Sequence, residues 1–173
     1  MKIRLFLGLA FAAFLGACSS NVDKETDYIN TFYSHVSPKL ILDSLPPNAD
    51  SALWAFAQAN PKNKQSDTFA YQAIQIKLAR NMTLQAAQWA ETYLETFKKS
   101  QNHRVDLYVM AAHHYEQHQV FDRALVLYKN FIKEFPNHEI TPQAKQMVEF
   151  IEKGLVTPEQ QLEYLLNKKQ PQS

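Results

Sequence analysis

Two groups of side chains in this sequence could do chemistry. The first is a single thiol, Cys18, the only cysteine among 173 residues. It follows a short basic start (Lys2, Arg4), an apolar run from Leu5 to Leu15, and the small residues Gly16 and Ala17. The run of about eleven residues is too short to cross a bilayer, which needs about 20 in a helix. Without a second cysteine the chain cannot form an internal disulfide. The second group is His113, His114 and His118. On a helix, His114 and His118 are one turn apart and could chelate a transition metal. Glu116 and Gln117 lie two and three places from His114 and do not complete that face. Surface histidines are therefore the expectation, with no metal and no cofactor. Acidic residues are plentiful, but none is grouped as an acid/base pair, and there is no nucleophile elbow or phosphate loop. No catalytic residue, enzyme activity or small-molecule substrate is expected.

The thiol has a clearer reading. Leu15-Gly16-Ala17-Cys18 resembles the signal of bacterial lipoproteins: a small residue before an obligatory cysteine, with Leu three places upstream. The resemblance implies cleavage before Cys18 and lipid on its thiol and its new amino group, palmitate among the chains. Several acyl chains hold a protein at a membrane where one holds it weakly. Asp directly after the cysteine favours inner-membrane retention in the Gram-negative sorting rule. Ser19 stands there instead, which implies an outer-membrane anchor with the body facing the periplasm or the cell surface.

Something must position whatever this anchor holds. Gly8 and Gly16 lie in the leader, so the body has one glycine, Gly154. With hydrophobic residues at 46%, that scarcity points to long helices joined by short polar links, since sheet turns use more glycine. The charge is +1, from 18 basic and 17 acidic residues, and becomes −1 without Lys2 and Arg4. Near-neutrality argues against nucleic acid as the main partner.

Residues 1–17 read as the signal peptide, and 18–47 as a lipidated tether and lead-in. The lead-in has a short helical pattern at Tyr28, Ile29, Phe32 and Tyr33, and apolar Leu40 to Leu42 before Pro46-Pro47. From Asn48 to Lys169 apolar residues recur at helical spacing. One helix runs from Asn48 to Ala59, N-capped by Asn48 or Asp50, with Ala52, Leu53, Phe56 and Ala57 inward. Ser66 caps the next, to about Arg80, and Thr83 caps its return, to Lys99. The strongest pattern follows, Val105 to Tyr115 and then Phe121 to Phe135, closed by Pro136-Asn137. Thr141-Pro142 opens another helix, ended at Gly154. Thr157-Pro158-Glu159-Gln160 starts the last with a capping-box Gln, and Leu162, Leu165 and Leu166 form its apolar stripe. Residues 170–173 are a frayed tail.

The hairpin from Val105 to His138, about 34 residues, resembles a tetratricopeptide repeat. The residues that carry the resemblance are Tyr108, Ala112, Tyr115, Ala124, Tyr128, Phe131 and Pro136. Phe131 is bulkier than the family's usual Ala. The preceding unit, Ser66 to Gln101, matches this one at a shift of 34 or at a shift of 38, and the two stay open. The resemblance implies an all-α fold: a short right-handed solenoid of antiparallel helix hairpins. In the family such hairpins leave a groove, whose positions fall here on Asp106, Val109, His113, Glu116 and Gln117. Gln72, Gln75, Ile76 and Lys77 would point the same way in the weaker unit.

A lipid anchor joined to such repeats looks like the helical-repeat lipoproteins of the bacterial envelope, including that of the outer-membrane β-barrel assembly machinery, which is longer than this chain. The implied function is a membrane-anchored protein–protein interaction module, a scaffold or adaptor. Its partners would be other envelope proteins or peptide segments. The second reading is a structural subunit of an outer-membrane assembly complex, bound through a flat apolar face. A metal-binding lipoprotein is third.

Overall fold

The computed structural model describes residues 45–168, whose regular structure is all α-helix, with no strand among them. Cys18 and the lead-in pattern around Tyr28 lie outside the described residues. The compact unit holding the helices begins at Pro46. Its seven helices are α1 (Ala49–Ala59), α2 (Ser66–Ala79), α3 (Thr83–Thr96), α4 (Arg104–Gln117), α5 (Phe121–Glu134), α6 (Thr141–Glu152) and α7 (Pro158–Lys168). Helices α1 to α6 pack chiefly on their neighbours in sequence.

Two kinds of link alternate. After α2, α4 and α6 the chain turns through a left-handed residue: Asn81 (φ 58°), Gln119 (φ 59°) and Gly154 (φ 68°). In each turn the next amide reaches back to close a Schellman motif. Met82 N donates to Lys77 O at 2.9 Å, Val120 N to Tyr115 O at 2.8 Å and Leu155 N to Phe150 O at 2.9 Å. Asparagine tolerates that backbone region, but glutamine enters it at a steric cost of about 1 kcal/mol. The links after α1, α3 and α5 close through Asn60, Phe97 and Phe135. There the amides of Asn63, Ser100 and His138 donate to the carbonyl three residues back, at 2.9, 3.0 and 3.2 Å.

These links reassign the expected caps. Ser66 and Thr141 are each the first helical residue, and their hydroxyls donate to Asn60 O and Phe135 O, both at 2.6 Å. They tie a helix start to the preceding helix end and do not cap their own amides. Neither Asn48 nor Met82 caps through a side chain. Thr83 Oγ1 instead lies 2.9 Å from His118 Nε2. Asp50 faces inward into an ion pair, and Ala52 is exposed. The expected capping box at α7 is present: Thr157 N donates to Gln160 Oε1 at 3.1 Å and Gln160 N to Thr157 Oγ1 at 3.3 Å.

The spacing settles the choice of shift. Helices α2 and α4 begin 38 residues apart, as do α3 and α5, and α4 to α6 and α5 to α7 are each 37. A shift of 38 carries buried Phe69, Ala73, Ala86 and Tyr93 onto buried Leu107, Ala111, Ala124 and Phe131. Ala86, Ala87, Ala111, Ala112 and Ala124 are fully buried and let helices approach, while Tyr93, Phe69 and Phe131 fill the space between them. Phe131 packs against Tyr108, Phe135 and His138, with ring centroids 5.5 to 6.3 Å away. The extra volume noted in the sequence is thus taken up by an aromatic cluster.

Candidate functional site

Two buried cations brace the helices. Lys77 falls where the 38-residue shift places Tyr115, a core position. Its ammonium meets Asp50 of α1 at 2.8 Å and lies 4.6 Å from the ring centre of Trp89. Trp89 of α3 stacks flat on Trp54 of α1, with centroids 4.6 Å apart. Arg80 adds a second contact to Asp50 at 2.8 Å and donates to Pro46 O and Pro47 O. Burial alone would raise the Asp50 carboxyl. The Lys77 hydrogen bond, the Ser51 amide and the two cations outweigh it and hold the carboxyl below its usual range.

Arg104 opens α4 and is 5% exposed. Its guanidinium forks onto both oxygens of Glu134, donates to Leu94 O at 3.0 Å and reaches the Tyr108 hydroxyl at 3.2 Å. Tyr108 in turn donates to Glu134 at 3.0 Å. One side chain therefore joins α3, α4 and α5. The Arg104 hydrogen bond is the main cause that holds the Glu134 carboxyl low.

Above this network lies an open cleft of about 670 Å³ between α3 and α5. Leu94, Tyr108, Val126 and Leu127 supply apolar surface. Glu91 and Glu95 stand on α3, and Arg123, Asn130 and Lys133 on α5. Arg123 meets Glu91 at 3.4 Å, and Glu91 also accepts from the Tyr115 hydroxyl. Val126 is 52% exposed. A second cavity, about 370 Å³, opens between the links that follow α1 and α3.

The five groove residues expected from sequence all lie on α4, and none lines either cavity. Asp106, His113 and Gln117 are exposed and Val109 is half-buried. His113 and Gln117 are joined by a 3.1 Å hydrogen bond, and Gln117 also contacts His114 Nδ1 at 2.9 Å. Glu116 differs. It is half-buried, its carboxylate is hydrogen-bonded by Tyr128 of α5, and its Oε1 is buried without a partner. Burial pushes this carboxyl up to about 7, against the lowering effect of Tyr128. Glu116 thus belongs partly to the packing of α4 on α5. On α2, Ile76 and Lys77 are buried and do not share a face with exposed Gln75. The three histidines are each engaged by a neighbouring side chain, and no group of three metal-binding side chains occurs among the described residues.

Comparison with known proteins adds no assignment. No family model, curated protein or solved structure matches this chain. Sequence reasoning missed Arg104 and the α3/α5 cleft, and it placed Lys77 on the groove face when Lys77 is a buried brace. Only Lys77 left a signal, since it occupies an aromatic core position in the 38-residue register. The contact from Arg104 to Glu134 spans 30 residues and follows no local spacing.

Proposed function

We propose that the chain is a lipid-anchored protein-interaction module of the bacterial cell envelope. In this reading Cys18 carries the lipid, and α2–α3, α4–α5 and α6–α7 form a short solenoid of tetratricopeptide type. The recurring Schellman turns and the 37–38 residue spacing support it. That period exceeds the family's 34, and the surplus lies in the links 97–103 and 135–140. The α3/α5 cleft carries the functional reading. It pairs an apolar floor with rims of both signs, the make-up of a surface that takes a partner segment. The exposed face of α4 at Asp106, Val109 and His113 is the rival surface on the same molecule.

A second reading, a fixed subunit held through a flat apolar face, draws on α7. That helix has no buried residue, and Leu162 and Leu166 are 59% and 57% exposed. Pull-downs from envelope extracts separate the possibilities. Loss of partners on Val126→Glu supports the cleft, and loss on Asp106→Ala/His113→Ala supports α4. Loss only on Leu162→Glu/Leu166→Glu supports the subunit. Partners retained by all three variants would refute every surface named.

A further inference from the structure

The smaller cavity has an unusual balance of charge. Lys64 enters it from the link after α1, and Lys98 and Lys99 from the link after α3. Its only carboxylate is Asp67. Both Asp67 oxygens are engaged, one by Ser100 Oγ at 2.9 Å and the other by Thr68 N at 2.7 Å. None of the three lysines makes an ion pair among the described residues; Lys62, Lys133, Lys145 and Lys153 make none either, so it is the meeting of three at one cavity that sets this place apart. Helix α2 begins at this pocket and α3 ends there, so their dipoles offset and the lysines set the field. Three like charges around one concavity repel each other, and an anion bound among them relieves that repulsion.

We propose that this pocket binds a phosphate-type anion, the chemistry shared by phosphorylated solutes and phospholipid headgroups. The volume of about 370 Å³ admits a phosphate group and part of what it is attached to. The lysines are exposed, so the interaction weakens as salt rises.

The test uses the full chain in uncharged detergent, titrated calorimetrically with inorganic pyrophosphate at low salt. The expected result is saturable binding that weakens about tenfold in Lys98→Gln/Lys99→Gln. Lys145→Gln/Lys153→Gln, an equal charge change elsewhere, should leave it unaltered. Lysine acetylation of the unaltered protein gives a second measurement that does not depend on any variant folding. Pyrophosphate should protect Lys64, Lys98 and Lys99 and leave Lys145 reactive. Repeating the acetylation in vesicles separates the sources. Protection by phosphatidylglycerol but not phosphatidylcholine vesicles identifies a headgroup, and protection by pyrophosphate alone identifies a soluble phosphate. Absence of both saturable binding and protection, or equal weakening in the two double variants, overturns the proposal.

Discussion

Replacing Arg104 with Met removes a guanidinium that four groups depend on: both oxygens of Glu134, the Leu94 carbonyl and the Tyr108 hydroxyl. Met keeps much of the stem's packing, so the loss is chiefly electrostatic. Breaking a buried pair by removing one partner costs about 3–5 kcal/mol. Glu134 is 27% exposed and keeps its bond from Tyr108, so water recovers part of that cost. The expected destabilisation is about 2–3 kcal/mol, equivalent to about 4–12 °C in Tm for a chain of this size. Glu134→Gln should cost less, because its amide still accepts one hydrogen bond. The assay is urea unfolding followed by helical circular dichroism for the wild type, both single variants and the double. A coupling energy of about 1.5 kcal/mol or more is expected. Single-variant losses that add to the double within about 0.5 kcal/mol would refute the claim that Arg104 and Glu134 act as one brace. The Glu134 carboxyl is held low in the fold. Its contribution is therefore present above its unfolded pKa and is lost as pH falls through the folded value. The wild type should lose stability in acid more steeply than Glu134→Gln.

Three further outcomes are expected. Phe131→Ala should cost about 3–5 kcal/mol in denaturant unfolding, because the cavity forms among Tyr108, Phe135 and His138. Gln119→Gly should raise stability in denaturant unfolding by about 0.5 kcal/mol, because relief of the left-handed turn outweighs the added freedom of the unfolded chain. Glu116→Gln is a pH test. The folded carboxyl titrates near 7 and the unfolded one lower, so its favourable neutral form is lost as pH rises through 7. The variant should match the wild type near pH 4 and exceed it above pH 7, by about 1 kcal/mol once the solvated side of this half-exposed group is discounted. A constant difference across that range would contradict the burial of Glu116.

The helices were legible because apolar spacing, Asn60-Pro61, Phe135-Pro136 and the Thr157–Gln160 box are local signals. The caps read less well. Ser66 and Thr141 have the right side chains at the right places, but a hydroxyl cannot declare whether it will bond forward to its own helix or back to Asn60 or Phe135. The 38-residue register was present as one of two alternatives. It was obscured because Lys77 stands where the next unit has Tyr115, and only the Asp50 and Trp89 contacts make a buried lysine acceptable there. The α4 residues were placed by resemblance: Asp106, His113 and Gln117 are exposed along that helix, and Val109 and Glu116 are half-buried. Glu116 was not recognisable as partly a packing residue, because its burial depends on Tyr128 of the next helix. The α3/α5 cleft was invisible for the same reason: its walls come from two helices whose facing is a product of packing.

Site-specific photo-crosslinking in intact envelopes tests the central reading most directly. A photoreactive residue at Val126 probes the cleft, one at His113 the α4 face and one at Leu162 the apolar helix. An interaction module working through the cleft should give a discrete protein adduct from Val126, identifiable by mass spectrometry and abolished by Lys133→Glu. Adducts from none of the three positions, with the chain present at the membrane, would contradict the account.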